Sequence, residues 1–305
     1  MISSRDTPDS AFLNNLIPTA SLSMKHAIDQ IQKPLGCMLD KLYEQVKSFT
    51  AELKNILESP DNDKSQRLYQ NESLDLMLER WAKLERDLKN KKTSNFDVSK
   101  IPDVYDSVKY DSQHNASLAL PVMDELYETA KLLADIVIPQ EYGITKDEKL
   151  NISHGYCVPL LRKILADLQA NVANPDESSN RLDPSYSKGV LSPGRHVRTR
   201  LYFTSESHIH SLLTILRYGG LCGGDDEQWA RALDYISRVS ELNYMTQIVI
   251  MLYEDPNKPV DAPDRFHVEL HFSPGAKAHK EDSYPQGSGF RPSSKPNSRD
   301  VSRSL

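Results

Sequence analysis

Cysteine is scarce: Cys37, Cys157 and Cys222 stand far apart with no Cys-x-x-Cys pair, which leaves no disulfide framework and no cysteine-built zinc site. A reducing, cytosolic setting is the expectation. A basic surplus is missing too. The 37 Lys and Arg face 43 Asp and Glu for a net charge of −6, whereas a general nucleic-acid or membrane-surface binder needs phosphate-neutralising cations in excess. No segment approaches the roughly eighteen uninterrupted apolar residues of a membrane span. The first twenty residues carry Arg5 but also Asp6 and Asp9, without an apolar run of signal-peptide length. Hydrophobic residues make up 38% of the chain and mean hydropathy is −0.55, low for a fully packed globule, so part of the chain is expected to be disordered. No repeat of helical-array period is present.

What is there is mostly helical pattern. Residues 1–20 are Ser/Asp/Asn/Pro-rich and read as disordered. From 21 to 57 apolar residues recur at three- and four-residue steps, predicting two helices parted near Pro34-Leu35-Gly36. A helix is predicted over 71–89, with Leu74, Leu78, Trp81, Leu84 and Leu88 on one stripe and Glu79–Lys83 as an i,i+4 pair. Further helices are predicted over 101–110, 121–138 and 147–168, the last interrupted around Gly155 and Pro159. Residues 21–172 thus form a helical region, 173–188 a polar connector and 189–273 an α/β portion. The latter holds strands near 199–204, 245–253 and 266–272 and helices over 206–218 and 225–241. Residues 274–305 read as a disordered tail, mildly basic through Lys277, Lys280, Arg291, Lys295, Arg299 and Arg303. Three late strands rarely make a self-sufficient sheet, so the fold expected is α/β but incomplete.

The chemical signal lies at 199–218, where Leu201, Tyr202, Phe203 and Thr204 pass through Ser205-Glu206-Ser207 into an amphipathic helix. That order puts His208 at a strand's carboxyl end and a helix's amino end, where free backbone N–H groups and the helix dipole favour an anion such as phosphate. Arg195, Arg198 and Arg200 precede it and are candidate anion-binding residues. The plainer alternative is a helix-start histidine bonded to backbone and arginines that solvate a loop. On composition alone that alternative leads.

Other constellations carry less. His208 and His210, two apart, point about 200° from each other on a helix and have no third ligand placed by sequence, so no metal is expected. Arg195-His196-Val197-Arg198 mimics an Arg-His-Gly phosphohistidine signature, but Val197 replaces the glycine of the tight turn and the segment precedes a late strand. His154 and Cys157 suggest a Cys/His nucleophile, for which a buried thiol beside a helix-packing histidine is the plainer reading. Trp81 and Trp229 are expected in cores or interfaces rather than as stacking platforms for bases.

Four blocks, IPQEYGITK at 138–146, GVLSPGRHVRTRLYFTSESHIHSLL at 189–213, ELNYMTQIVIMLYEDP at 241–256 and FHVELHFSPG at 266–275, closely resemble the inositol hexakisphosphate and diphosphoinositol-pentakisphosphate kinases. The resemblance spans most of 21–280. It implies a bifunctional enzyme in which an ATP-grasp kinase, using ATP and Mg²⁺, adds a β-phosphate that a histidine-acid-phosphatase-like domain removes. Only the distal part of that phosphatase-like domain is similar to this chain, as a helical cap and last strands. No ATP or metal is therefore expected here.

In histidine acid phosphatases a late strand–turn–helix carries a His-Asp pair, the histidine contacting phosphate and the aspartate protonating the leaving group. By resemblance His208 takes the histidine's place and Ile209 the aspartate's, where it has no proton to give. The nucleophilic histidine and its clamping arginines have no counterpart, so the catalytic set is incomplete and the chain alone is expected to be inactive. Implied partners are inositol polyphosphates, bound weakly or not at all by the isolated chain, and the remainder of the phosphatase-like domain, without nucleic acid or a membrane span. The alternative is a non-catalytic inositol-polyphosphate-binding or helical protein-interaction module.

Overall fold

The computed structural model describes residues 19–30, 35–60, 67–90, 92–172, 199–222, 225–239, 241–259 and 261–275. Expectations for 1–18, for the connector and the arginine-rich approach at 173–198, and for the tail from 276 lie outside these residues. Eight helices of at least nine residues and two strands appear among them. They are α1 (Leu22–Gln30), α2 (Leu35–Glu58), α3 (Leu74–Leu88), α4 (Ile101–His114), α5 (Met123–Glu141), α6 (Lys146–Val172), α7 (Glu206–Tyr218), α8 (Glu227–Ser237), β1 (Gln247–Glu254) and β2 (Phe266–Ser273).

The helical stripes of the sequence converge on one core. Leu39, Leu42, Val46, Phe49 and Leu53 of α2 meet Met77, Trp81, Leu84 and Leu88 of α3, Ile101, Val104 and Val108 of α4, and Leu126, Ala130 and Leu133 of α5. Trp81 is fully buried and tilts against Phe49 at 4.4 Å between ring centres, so the core reading of that residue holds. Each such side chain removes enough apolar surface from water to stabilise the fold by about 1.5–3 kcal/mol before entropy is counted. The starts are fixed locally. Ser73 accepts from the Leu76 N–H ahead of α3, and Asp226 accepts from Trp229 ahead of α8. The Glu79–Lys83 pair does not form among the described residues. Arg80, one step on, bonds Glu72 and Asp111 instead.

α6 corrects the expected interruption: it runs unbroken through Gly155 and Pro159. Proline removes the hydrogen bond to the carbonyl four residues back, which here is that of Gly155. Gly155 is exposed, which leaves the released carbonyl open to solvent rather than buried without a partner.

The strands account for the other correction. β1 and β2 pair antiparallel from Gln247↔Ser273 to Glu254↔Phe266. At the base, Gly275 has φ +86° and a Cβ there would run into the Tyr244 carbonyl and the Thr246 N–H, so only glycine closes this hairpin. Residues 199–204, expected as a third strand, carry no regular secondary structure and join no ladder. β propensity expresses a fit to a pleated, half-buried surface, and no described strand lies alongside. Leu201 is 75% and Phe203 89% exposed. The described residues thus form the expected helical region plus a partial sheet, with two described strands rather than three.

Candidate functional site

The turn singled out by sequence opens α7. Ser205 is extended at φ −79°, ψ 162°, and its carbonyl accepts from the His208 and Ile209 N–H groups at 3.2 and 3.4 Å. Its hydroxyl does not cap the helix backbone. It faces the His208 ring instead, 3.1 Å from Nδ1. Tyr156 of α6 lies edge-on to the same imidazole, ring centres 4.8 Å apart at 62°. His208 is half-buried.

The other face of the turn is tied down by Tyr142, just past α5. Its ring stacks on His210 at 4.4 Å, its hydroxyl lies 3.4 Å from Ser207 Oγ, and His210 Nε2 sits 3.1 Å from Glu206 Oε1. His208 and His210 therefore separate onto different neighbours, as the i,i+2 geometry requires. Among the described residues no group of three or more His, Cys, Asp or Glu could hold a metal.

The surrounding field is acidic. Desolvation, then Glu206, pushes the Asp106 carboxyl of α4 up to about 6, with Glu241 and Asp103 adding and Lys109 opposing. Glu141 is raised by burial and then by Asp103 and Glu206, with His210 opposing. A polyanion at this turn meets favourable helix amides and unfavourable carboxylates together.

Arg200 lies elsewhere. It pairs with Asp167 at 3.3 Å, beside Lys163 at 2.6 Å and the Tyr202 hydroxyl, which donates to the same carboxylate. Although desolvation raises it, these bonds and charges hold Asp167 below the usual carboxylate range. His208 meets α6 eleven residues before Asp167, a separation of about 16 Å along the axis. Arg195, Arg198 and His196 lie outside the described residues.

His154 is exposed on α6, whereas Cys157 is buried and its thiol is pushed up by burial, the opposite of an activated nucleophile. Sequence reasoning missed Tyr142, Tyr156 and the Asp106/Glu141 carboxylates. Tyr142 lies in the IPQEYGITK block and Tyr156 two residues past His154, but no spacing rule links either to a turn 50–66 residues later.

Comparison with known proteins finds the histidine phosphatase superfamily (branch 2) matching residues 15–273. A human protein named inositol hexakisphosphate and diphosphoinositol-pentakisphosphate kinase 2 is 58% identical over 284 residues, covering 92% of this chain and 22% of its own length. A rat kinase 1 of that name is 55% identical, covering 93% of this chain and 20% of its own. A Caenorhabditis elegans kinase is 50% identical over 219 residues, covering 68% and 17%. The chain thus spans about a fifth of the length of these relatives. No solved structure matches it.

Proposed function

The chain belongs to the histidine phosphatase superfamily, branch 2, and from that we propose that it is the distal part of the phosphatase-like domain of a cytosolic inositol hexakisphosphate and diphosphoinositol-pentakisphosphate kinase. In that domain His208 contacts a phosphoryl oxygen of an inositol polyphosphate. ATP and Mg²⁺ belong, on this reading, to a kinase domain elsewhere in such a protein. The observation that carries it is the α7 turn: a half-buried imidazole held at a helix start where the Glu206 and Ser207 amides have no partner among the described residues.

On this reading the chain contributes a phosphate contact and not a reaction. Phosphoryl transfer through histidine forms a nitrogen–phosphorus bond while the bond to the leaving oxygen breaks, and that oxygen takes up a proton. His210 is engaged by Glu206 and Tyr142, and Ile209 has no proton to give. The nucleophile, the arginines that clamp its phosphate and the proton donor would come from the remainder of the domain, which would also cover Leu201 and Phe203. Arg195 and Arg198 are proposed as anion-binding residues of the joined domain. Arg200 would have to leave Asp167 to act so.

The test is phosphate release from a diphosphoinositol pentakisphosphate, by the purified chain and by the chain joined to the preceding part of such a domain. The chain alone is expected to release none, and joined protein to lose its release on His208→Ala. Release by the chain alone that depends on His208 would sink the proposal.

A second reading, a non-catalytic inositol-polyphosphate-binding or protein-interaction module, draws support from Ile209 and from the carboxylates Asp106, Glu141 and Glu206 around the turn. Joined protein that binds inositol hexakisphosphate, loses binding on Arg198→Ala and yet releases no phosphate would favour it.

A further inference from the structure

Ser205 occupies the N-cap of α7 without doing what an N-cap serine ordinarily does. Such a hydroxyl accepts from the backbone N–H two or three residues on. Here it is turned to the imidazole of the third helical residue, His208, 3.1 Å from Nδ1, while no side chain caps the backbone. Two consequences follow from this one rotation. The Ser207 N–H that this hydroxyl could have capped has no partner among the described residues, as is also true of the Glu206 N–H, which no N-cap hydroxyl reaches, and Nδ1 of His208 is occupied while its Nε2 has no partner among them.

A phosphoryl oxygen only accepts, so an imidazole that binds it must present an N–H. We propose that Ser205 and Tyr156 are positioning residues for His208: the Ser205 hydroxyl donates to Nδ1 and the Tyr156 ring restrains the imidazole plane, so that Nε2–H is the nitrogen presented to the phosphoryl oxygen.

The serine hydroxyl suits this because it works in both directions. Facing a neutral ring it donates to Nδ1, which fixes the proton on Nε2. Facing a protonated ring it rotates and accepts from Nδ1–H, and Nε2 still carries its proton. The presented nitrogen is thus a donor in both charge states, and only its strength changes. Tyr156 acts through its ring, at 4.8 Å and 62°, an arrangement that limits rotation of the imidazole. The free amides of Glu206 and Ser207 are left on the same turn as further donors to the anion.

The inference rests on reading His208 as a phosphate contact, and the experiment separates the two. Long-range ¹H–¹⁵N spectra of the purified chain at about pH 8 read the tautomer directly. Expected for His208 are an unprotonated Nδ1 and a protonated Nε2, well separated in nitrogen shift. Ser205→Ala should bring the two shifts toward each other as tautomers mix, and Ser205→Thr should restore the separation. Tyr156→Phe should keep the His208 ring ordered and Tyr156→Ala should broaden it. A protonated Nδ1 in the unmodified chain, or an unchanged pattern in Ser205→Ala, overturns the positioning role. Inositol hexakisphosphate is then titrated into the chain joined to the preceding part of such a domain, unmodified and with Ser205→Ala. A shift at His208 Nε2, with binding about fivefold weaker in Ser205→Ala as one neutral hydrogen bond warrants, supports the whole. The expected tautomer with no response to the polyphosphate overturns the phosphate reading alone.

Discussion

The indole Nε1 of Trp81 donates to Asp111 Oδ2 at 2.7 Å, inside the helical core. Asp111 is fully buried, and the bond is one of several that make a carboxylate tolerable there. Arg80 reaches both its oxygens at 3.1 and 3.0 Å, Asn115 Nδ2 donates to Oδ1 at 2.9 Å, and Arg80 turns its other edge to Glu72. Desolvation works against the guanidinium charge, but Asp111 and Glu72 more than offset it and raise the Arg80 pKa. These bonds join α3 to α4, the helix that also carries Asp106.

Removing one partner of such a cluster leaves the other buried and uncompensated. Asp111→Ala is expected to destabilise the chain by about 3–5 kcal/mol. Asp111→Asn should cost less, since it still accepts from Trp81 but no longer matches Arg80's charge. Urea unfolding of the three proteins checks this. A loss below about 1 kcal/mol in Asp111→Ala would mean the cluster contributes packing only.

Asp106 gives the pH prediction. Its native pKa, about 6, lies above the unfolded carboxylate value, so the folded state holds the proton more tightly. The associated stability is complete below about pH 4 and is lost as pH rises through about 6. Because Asp106 is exposed at the surface, solvent screening reduces the effect to about 0.5–1 kcal/mol, or about 2 °C in melting temperature. Asp106→Asn should therefore melt higher than the unmodified chain at pH 7.5 and alongside it at pH 4.5. A constant gap at both values would assign the difference to something other than this titration.

How far the sequence could be read is clearest at α6 and at 199–204. The three- and four-residue apolar steps located every core helix because core burial follows the helical period, and Trp81, Leu84 and Leu88 fell on the buried face as that period requires. Gly155 and Pro159 misled because their cost depends on whether the released carbonyl faces water, which is a tertiary fact. Leu201 and Phe203 misled because a strand is a relationship with a neighbour and propensity records only one side of it. The α7 start and His208 were legible from Ser205 and the apolar period after it. The partners of His208 were not, because Tyr156 reaches it only through the packing of α6 on α7.

Thiol chemistry separates the three cysteines. Cys37 and Cys222 are exposed and Cys157 is buried, with its thiol held in the less reactive protonated form by burial. Brief treatment with iodoacetamide at pH 8 should label Cys37 and Cys222 in the folded chain and spare Cys157 until denaturant is added. Early labelling of Cys157, read by mass spectrometry, would show α6 opening away from its neighbours.

The β1–β2 hairpin is the least self-sufficient element, since an isolated pair of strands is marginal in water and Val249, Met251, Tyr253 and Val268 remain exposed. Polar bonds on either side of the buried Leu242 tie it to the helical core. Glu241 Oε1 accepts from the Tyr105 hydroxyl at 2.9 Å and from Lys109 Nζ at 2.6 Å, and Lys109 also reaches Asn243 Oδ1 at 2.9 Å. Both charged side chains are mostly buried, at 18% and 15% exposure, so this pair is screened far less than a surface ion pair. Burial first, then this Glu241 contact, raises the Tyr105 phenol. Glu241→Ala should release the hairpin from α4 and strand Lys109 without its carboxylate. Amide exchange in β1 and β2 should then accelerate at least tenfold, while amides of α2, α3 and α5 keep their protection, because local opening of the sheet does not require the core to unfold. If core and hairpin amides accelerate together, the two form one cooperative unit and Glu241 is part of its global stability rather than the tether of the sheet.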